Sequence, residues 1–175
     1  LTVKILAIQN RMGIGDTVIY LPFIKAISKK YNSPVSLLVK ESSKADQYLN
    51  QTSYINQIIP LERNNKNKER HDGIYGFFNL AKDLRKYGFE KVFIFNSSLR
   101  YNLISRVAGI RKIYQYPLFK KKNQHITFPA RNLIKNNLDI EVNENPEIHI
   151  NNNLVDLSFS KFNMNKDEMN ILLGI

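Results

Sequence analysis

Apolar and polar positions along this chain fall into blocks whose period switches between that of a strand and that of a helix. Val3, Ile5, Leu6, Ala7 and Ile8 form a short apolar run with the β-branched content of a buried strand. Gln9 to Gly15 interrupts it with two glycines around Ile14. Val18, Ile19, Leu21, Phe23, Ile24 and Ile27 then recur at helical spacing, which predicts one helix from Asp16 onward. Further strands are predicted over 35–39, 55–61, 91–95 and 111–116. Helices are predicted over 43–51, 73–87, from about 99 to 108, and over 129–138. In the 73–87 helix, Ile74, Phe77, Phe78, Ala81, Leu84 and Tyr87 make the expected apolar face, and Gly88 its C-terminal cap. Residues 139–165 are Asn-rich and weakly periodic, with one strand expected over 147–150.

Strands alternating with helices imply an α/β fold: a Rossmann-like parallel sheet with right-handed crossovers and helices on both faces. Ligands of such sheets sit beyond the carboxyl ends of the strands. That rule points at three turns: 9–16, the polar stretch 62–72, and 96–100. At the first, the helix start would present free N–H groups to an anionic or polar ligand. Asp16 there is either an N-cap or a functional carboxylate, and Ser97 and Ser98 are either caps or ligands for sugar hydroxyls.

With 175 residues, 43% of them hydrophobic, the chain can bury a core of its own. It lacks cysteine, which excludes disulfides and thiolate metal sites. The three histidines are scattered without paired-ligand spacing, so no metal is expected. No apolar run approaches the ~20 residues of a membrane span, the start is strand-like rather than a signal peptide, and a cytoplasmic location is the default. A formal charge of +11 favours a polyanionic partner: nucleic acid, an anionic membrane surface or a phosphorylated substrate. No helix-turn-helix, zinc or aromatic RNA-binding signature accompanies it, so nucleic acid is not expected. Lys120-Lys121-Lys122, near Phe119 and Phe128, is either a solvated loop or a membrane-facing one.

The run Gly13-Ile14-Gly15-Asp16, followed by Pro22, Phe23, Ile24 and Ile27, resembles the N-terminal motif of the heptosyltransferases of glycosyltransferase family 9. INQIIPLE (55–62), the segment 85–116 and QHITFPARNLI (124–134) resemble later family segments in the same order. Two departures touch the acceptor side: Asn96-Ser97-Ser98 replaces an Asp-x-Gln turn, and Arg11 to Ile14 replaces a serine-bearing stretch. The resemblance implies a GT-B glycosyltransferase that moves heptose from ADP-heptose onto a lipopolysaccharide core acceptor with inversion. Asp16 would be the general base. Gly13, Ile14, Gly15, Arg63, Asn96, Ser97, Ser98, Arg100, His125 and Arg131 would line the acceptor side. It further implies no cofactor beyond the nucleotide-sugar donor, an anionic glycolipid acceptor, and peripheral contact with the inner face of the inner membrane. Residues 1–165 would form the acceptor domain. Residues 166–175, ending in a strand-like Asn170-Ile171-Leu172-Leu173-Gly174, would begin a nucleotide-sugar-binding domain.

Two other readings stay open. Gly13 and Gly15 fit part of the dinucleotide fingerprint G-x-G-x-x-G, with Glu41 as ribose-binding acid, which would make the chain a fragment of an NAD-type oxidoreductase. A non-catalytic domain that binds anionic glycans through its positive charge is the other. The arginines suit a phosphorylated or carboxylated ligand, because the guanidinium binds such groups bidentately, though each alone reads equally as a solvated charge. His125 alone reads as a hydrogen-bonded structural histidine.

Overall fold

A computed structural model describes residues 2–64, 69–117, 125–148, 150–165 and 167–169. The strand-like ending at 170–175 and the Lys120–Lys122 loop lie outside the described residues. Five strands form one sheet: β1 (Ile5–Ile8), β2 (Val35–Lys40), β3 (Ile55–Leu61), β4 (Lys91–Ile94) and β5 (Lys112–Gln115), in the order β3-β2-β1-β4-β5. Every pairing is parallel, as the near-continuous apolar runs require. The helices are α1 (Ile14–Val18), α2 (Leu21–Tyr31), α3 (Ala45–Tyr48), α4 (Gly73–Tyr87), α5 (Leu99–Val107), α6 (Thr127–Leu138) and α7 (Asn152–Lys161).

Alternation along β1 divides the core in two. Ile5 and Ala7 face a layer built by α2 and α6, whose Ile24, Ile27, Ala130 and Ile134 are buried there. Leu6 and Ile8 face the opposite layer, where α4 and α5 contribute Leu80, Leu84, Tyr101 and Ile104. The sheet is thus covered on both faces, and β1 is at its centre.

The structure corrects the sequence in four places. First, the helix expected from Asp16 is two helices. The chain breaks at Ile19–Tyr20, because Pro22 has no N–H to continue α1 and fits instead in the first turn of α2. Tyr20 is buried against Phe95 and Phe23, ring centroids 5.1 and 6.3 Å away, which fixes the break. Second, the helix expected over 43–51 is a 3-10 turn at Glu41–Ser43 followed by the four residues of α3.

Third, the apolar face of α4 differs in part: Phe77, Ala81, Leu84 and Tyr87 pack on the core as expected and Gly76 and Leu80 join them, but Ile74 and Phe78 are exposed. Fourth, the described residues of 147–150 form no strand: Ile148 and Ile150 are exposed, and the segment before them is held by Val142 in the core and by Glu144 on Lys25 and Lys29 at 2.9 and 3.0 Å. Helix α7 follows where no helix was expected, capped by Asn151 accepting from the Asn153 N–H at 2.8 Å.

The loop before α4 lies close against the helix. A Cβ on Gly76 would lie 2.1 Å from the His71 carbonyl carbon and 2.6 Å from its oxygen. Only glycine lets the loop before α4 lie down on the helix. Gly76→Ala is therefore expected to destabilise the fold by about 2–3 kcal/mol in urea denaturation. Gly15→Ala, where an added Cβ meets nothing within 4 Å, serves as the control and should stay within about 0.5 kcal/mol.

Candidate functional site at the carboxyl edge

Strand order reverses between β1 and β4, so the crevice of the sheet opens where these two strands end. The register continues past both: Gln9 N–H donates to Leu38 C=O at 3.0 Å, and Phe95 N–H donates to Ile8 C=O at 3.0 Å. Gln9 and Asn96 therefore head the two connections that flank the crevice. Each side-chain carbonyl folds back on its own turn, Gln9 accepting from Arg11 N–H at 2.8 Å and Asn96 from Ser98 N–H at 2.9 Å. Each amide nitrogen is left buried and without a partner. A buried donor without an acceptor is costly, and two beside one crevice point to a ligand that supplies the acceptors.

Asp16 lies just past the β1–α1 connection, in α1. Gly13 is the residue before the helix, and its φ of 107° lies where side-chain-bearing residues are strained. Asp16 does not cap: it lies in the first turn of α1, two residues beyond the helix start. Its carboxylate pairs loosely with Arg11, 3.8 Å from Nη1, and about a third of the side chain is open to solvent, 29%. Ile14 is exposed on the same turn. With five residues, α1 is too short for the dipole argument that the sequence suggested. Val18 packs against the core where the dinucleotide fingerprint calls for glycine.

The connections after β3 and β4 bring two cations together. Arg63 Nε lies 3.6 Å from Asp72 Oδ1, and its Nη1 donates to the Tyr101 hydroxyl at 3.4 Å. Arg100, in the first turn of α5, donates from Nη2 to the His71 carbonyl at 3.0 Å, and its guanidinium stands 5.7 Å from the centre of the Phe77 ring. Burial first, and the Arg63 charge second, push the Arg100 guanidinium below its ordinary value. Both Nε groups are buried without a hydrogen-bond partner. With Asp72 beside Arg63, the cluster keeps a net positive charge, which suits a carboxylate or phosphate.

Of the residues singled out in the sequence, Gly13, Ile14, Gly15 and Asp16 share the β1 connection, and Asn96, Ser97 and Ser98 share that of β4. Arg100 continues the latter, and Arg63 meets it through Tyr101. Ser98 stands at the start of α5 without capping it through its side chain. His125 and Arg131 join no other candidate among the described residues: His125 Nδ1 pairs locally with Thr127 Oγ1 at 2.8 Å, and Arg131 is exposed on α6. Sequence reasoning missed Gln9, though a lone polar residue directly after an apolar strand was the available signal. It also missed His71. The buried His71 ring accepts from Glu62 N–H at Nδ1, 3.1 Å, and faces Asp83 at Nε2, 3.4 Å.

Asp83 anchors that loop. Burial alone would push its carboxyl up. Hydrogen bonds from Arg70 at 2.8 and 3.0 Å, from Lys86 at 3.0 Å and from His71 outweigh burial and hold it at about 2. A depressed carboxyl contributes stability that is present above its unfolded value near 4 and is lost as the pH falls through its folded value. Between pH 4 and pH 2 the wild-type protein should therefore lose more stability than Asp83→Asn, as measured by urea midpoints at each pH.

No family model matches the chain, and no curated protein matches it. Solved structures do. The glycosyl transferase family 9 structure from Veillonella parvula DSM 2008 superposes with a TM-score of 0.70 at 14% identity, over 99% of this chain and 55% of its own. The E. coli ADP-heptose lps heptosyltransferase II gives 0.65 at 14% identity, over 94% of this chain and 52% of its own. E. coli heptosyltransferase WaaC with ADP gives 0.54 at 14% identity, over 81% and 49%. This chain spans about half the length of each. Its fold is the fold of that portion of the heptosyltransferases.

Proposed function

We propose that this chain is the acceptor-binding domain of a heptosyltransferase-like enzyme that transfers heptose from ADP-heptose to a lipopolysaccharide core. One observation carries the reading: a partly open carboxylate, Asp16, at the crevice of a sheet with the heptosyltransferase fold. The acceptor hydroxyl attacks the anomeric carbon of the donor from the face opposite the diphosphate. The new C–O bond forms as the bond to the diphosphate oxygen breaks, with inversion. The hydroxyl proton passes to the Asp16 carboxylate, and the nucleoside diphosphate leaves with the electron pair. Gln9 and Asn96 offer free N–H groups to acceptor oxygens, and Arg63 and Arg100 hold its phosphates or carboxylates.

In this reading the donor belongs to a second domain that begins near residue 166, and transfer needs neither metal nor cofactor. The enzyme would work at the inner face of the inner membrane, where a glycolipid acceptor is presented.

An NMR titration of the chain tests the binding half. A phosphorylated lipopolysaccharide core fragment should shift resonances of residues 13–16 and 96–100, and Arg63→Gln or Arg100→Gln should each weaken it about tenfold. Tight NAD binding with no response to the core fragment would overturn the reading in favour of a dinucleotide enzyme. In a protein carrying this chain with its donor-binding half, Asp16→Asn should lower kcat about 10²- to 10⁴-fold with core-fragment affinity little changed. Unchanged turnover would remove Asp16 as base, and no turnover by the intact protein would leave a binding domain only.

A further inference from the structure

Among the described residues Asp16 has one ionic partner, Arg11, and the pair is loosely made. Arg11 Nη1 stands 3.8 Å from Asp16 Oδ1, and the guanidinium makes no hydrogen bond to any described residue. Elsewhere in this fold an arginine and an aspartate close fully: Arg70 donates to both oxygens of Asp83 at 2.8 and 3.0 Å. Half of the Arg11 side chain is open to solvent, 50%, which leaves its donors available to a ligand. Its main chain is set by the residue that heads the turn. Gln9 is buried, its side-chain carbonyl accepts from Arg11 N–H at 2.8 Å, and its Nε2 is left without a partner. A presented guanidinium and an orphaned buried amide thus stand on the connection that leads to Asp16. The field of Arg11 also reaches the end of β5: burial first and Tyr20 second push the Tyr116 phenol up, and Arg11 draws it down.

From this geometry we infer that Arg11 is a specificity-determining residue. It exchanges Asp16 for a carboxylate or phosphate that the acceptor carries close to its reacting hydroxyl. Asp16 must approach that hydroxyl, so an anion on the same sugar is brought toward the carboxylate and repelled. A guanidinium between the two anions removes the repulsion and binds the ligand bidentately. An acceptor without an anion at that place gains nothing from Arg11, which makes the residue a filter as well as a grip. Arg63 and Arg100 stand on the connections after β3 and β4, whereas Arg11 is already at the carboxylate. The inference deepens the proposed function and rests on it for the identity of the acceptor.

A double-mutant cycle read by NMR titration with the phosphorylated core fragment tests it. Arg11→Gln should bind about tenfold more weakly, with its far-UV circular dichroism unchanged because the side chain lies outside the core. Removing the Asp16 charge should matter only where Arg11 is missing. Asp16→Asn should bind as the wild type does, while Arg11→Gln combined with Asp16→Asn should bind about threefold or more tighter than Arg11→Gln. Arg63→Gln, the control, should gain nothing from Asp16→Asn. A dephosphorylated, carboxyl-reduced fragment should bind wild type and Arg11→Gln alike. Equal binding of the charged fragment by wild type and Arg11→Gln would overturn the inference. So would an equal loss with the neutral fragment, or a double variant no better than Arg11→Gln. Inorganic phosphate separates this inference from the reading it rests on. If phosphate moves the Arg11 Nε–H resonance while the core fragment does not bind, the proposed acceptor fails and the anion site stands. If the fragment shifts residues 13–16 equally in wild type and Arg11→Gln, the proposed function stands and the role of Arg11 fails.

Discussion

Parallel pairing of β1 on both of its edges is the constraint on which the rest depends. Ile5 to Ile8 are almost wholly buried, registered to Val35–Leu38 on one side and Lys91–Ile94 on the other. A strand so placed needs apolar side chains on both faces, and parallel neighbours need crossovers of helix length. Once those crossovers pack on opposite faces, the connections after β1 and β4 diverge. The crevice they leave is a by-product of topology, and it is where the polar chemistry gathers.

That chemistry is held under electrostatic tension. Arg63 and Arg100 repel each other, and burial penalises the Arg100 charge. Their geometry persists because the loop before α4 is fixed from three sides. Gly76 lets the His71 main chain lie on the helix, the His71 ring satisfies Glu62 N–H, and Asp83 gathers Arg70, Lys86 and His71. The His71 carbonyl then serves as the fixed acceptor for Arg100. Asp16, by contrast, is restrained by one long ion pair and by the turn that Gly13 permits, so its carboxylate keeps free lone pairs.

Where the sequence pattern was complete in itself, the sequence was enough. The apolar run of β3 and the period of α4 reproduce the observed bounds, Ile55–Leu61 and Gly73–Tyr87, because their signals are local: a proline-punctuated β-branched run and a helix closed by Gly88. The positions of Gly13–Asp16 and Asn96–Ser98 at the carboxyl edge of the sheet were legible from the order of the elements alone. The resemblance to the heptosyltransferases, carried mainly by Gly13, Gly15, Asp16 and Pro22, agrees with the fold of the solved structures.

Other features needed contacts between distant segments. The apolar positions from Val18 to Ile27 run without interruption; Pro22 marks the break between α1 and α2, and the burial of Tyr20 against Phe95 fixes it. The period of α4 marked Ile74 and Phe78 as part of its apolar face, yet in the fold both are exposed while Phe77, Ala81, Leu84 and Tyr87 pack on the core. The sequence at 147–150 alternates as a strand does, yet Glu144 and Glu147 pair with Lys25 on α2 instead. Arg63 and Arg100 are far apart in the chain and meet only because β3 and β4 end on the same edge of the sheet. Hydrophobic period, glycine and proline placement are properties of neighbouring residues, and they determined the fold class and its turns. Which face is buried, and which charges meet, are properties of packing, and only the tertiary structure decided them.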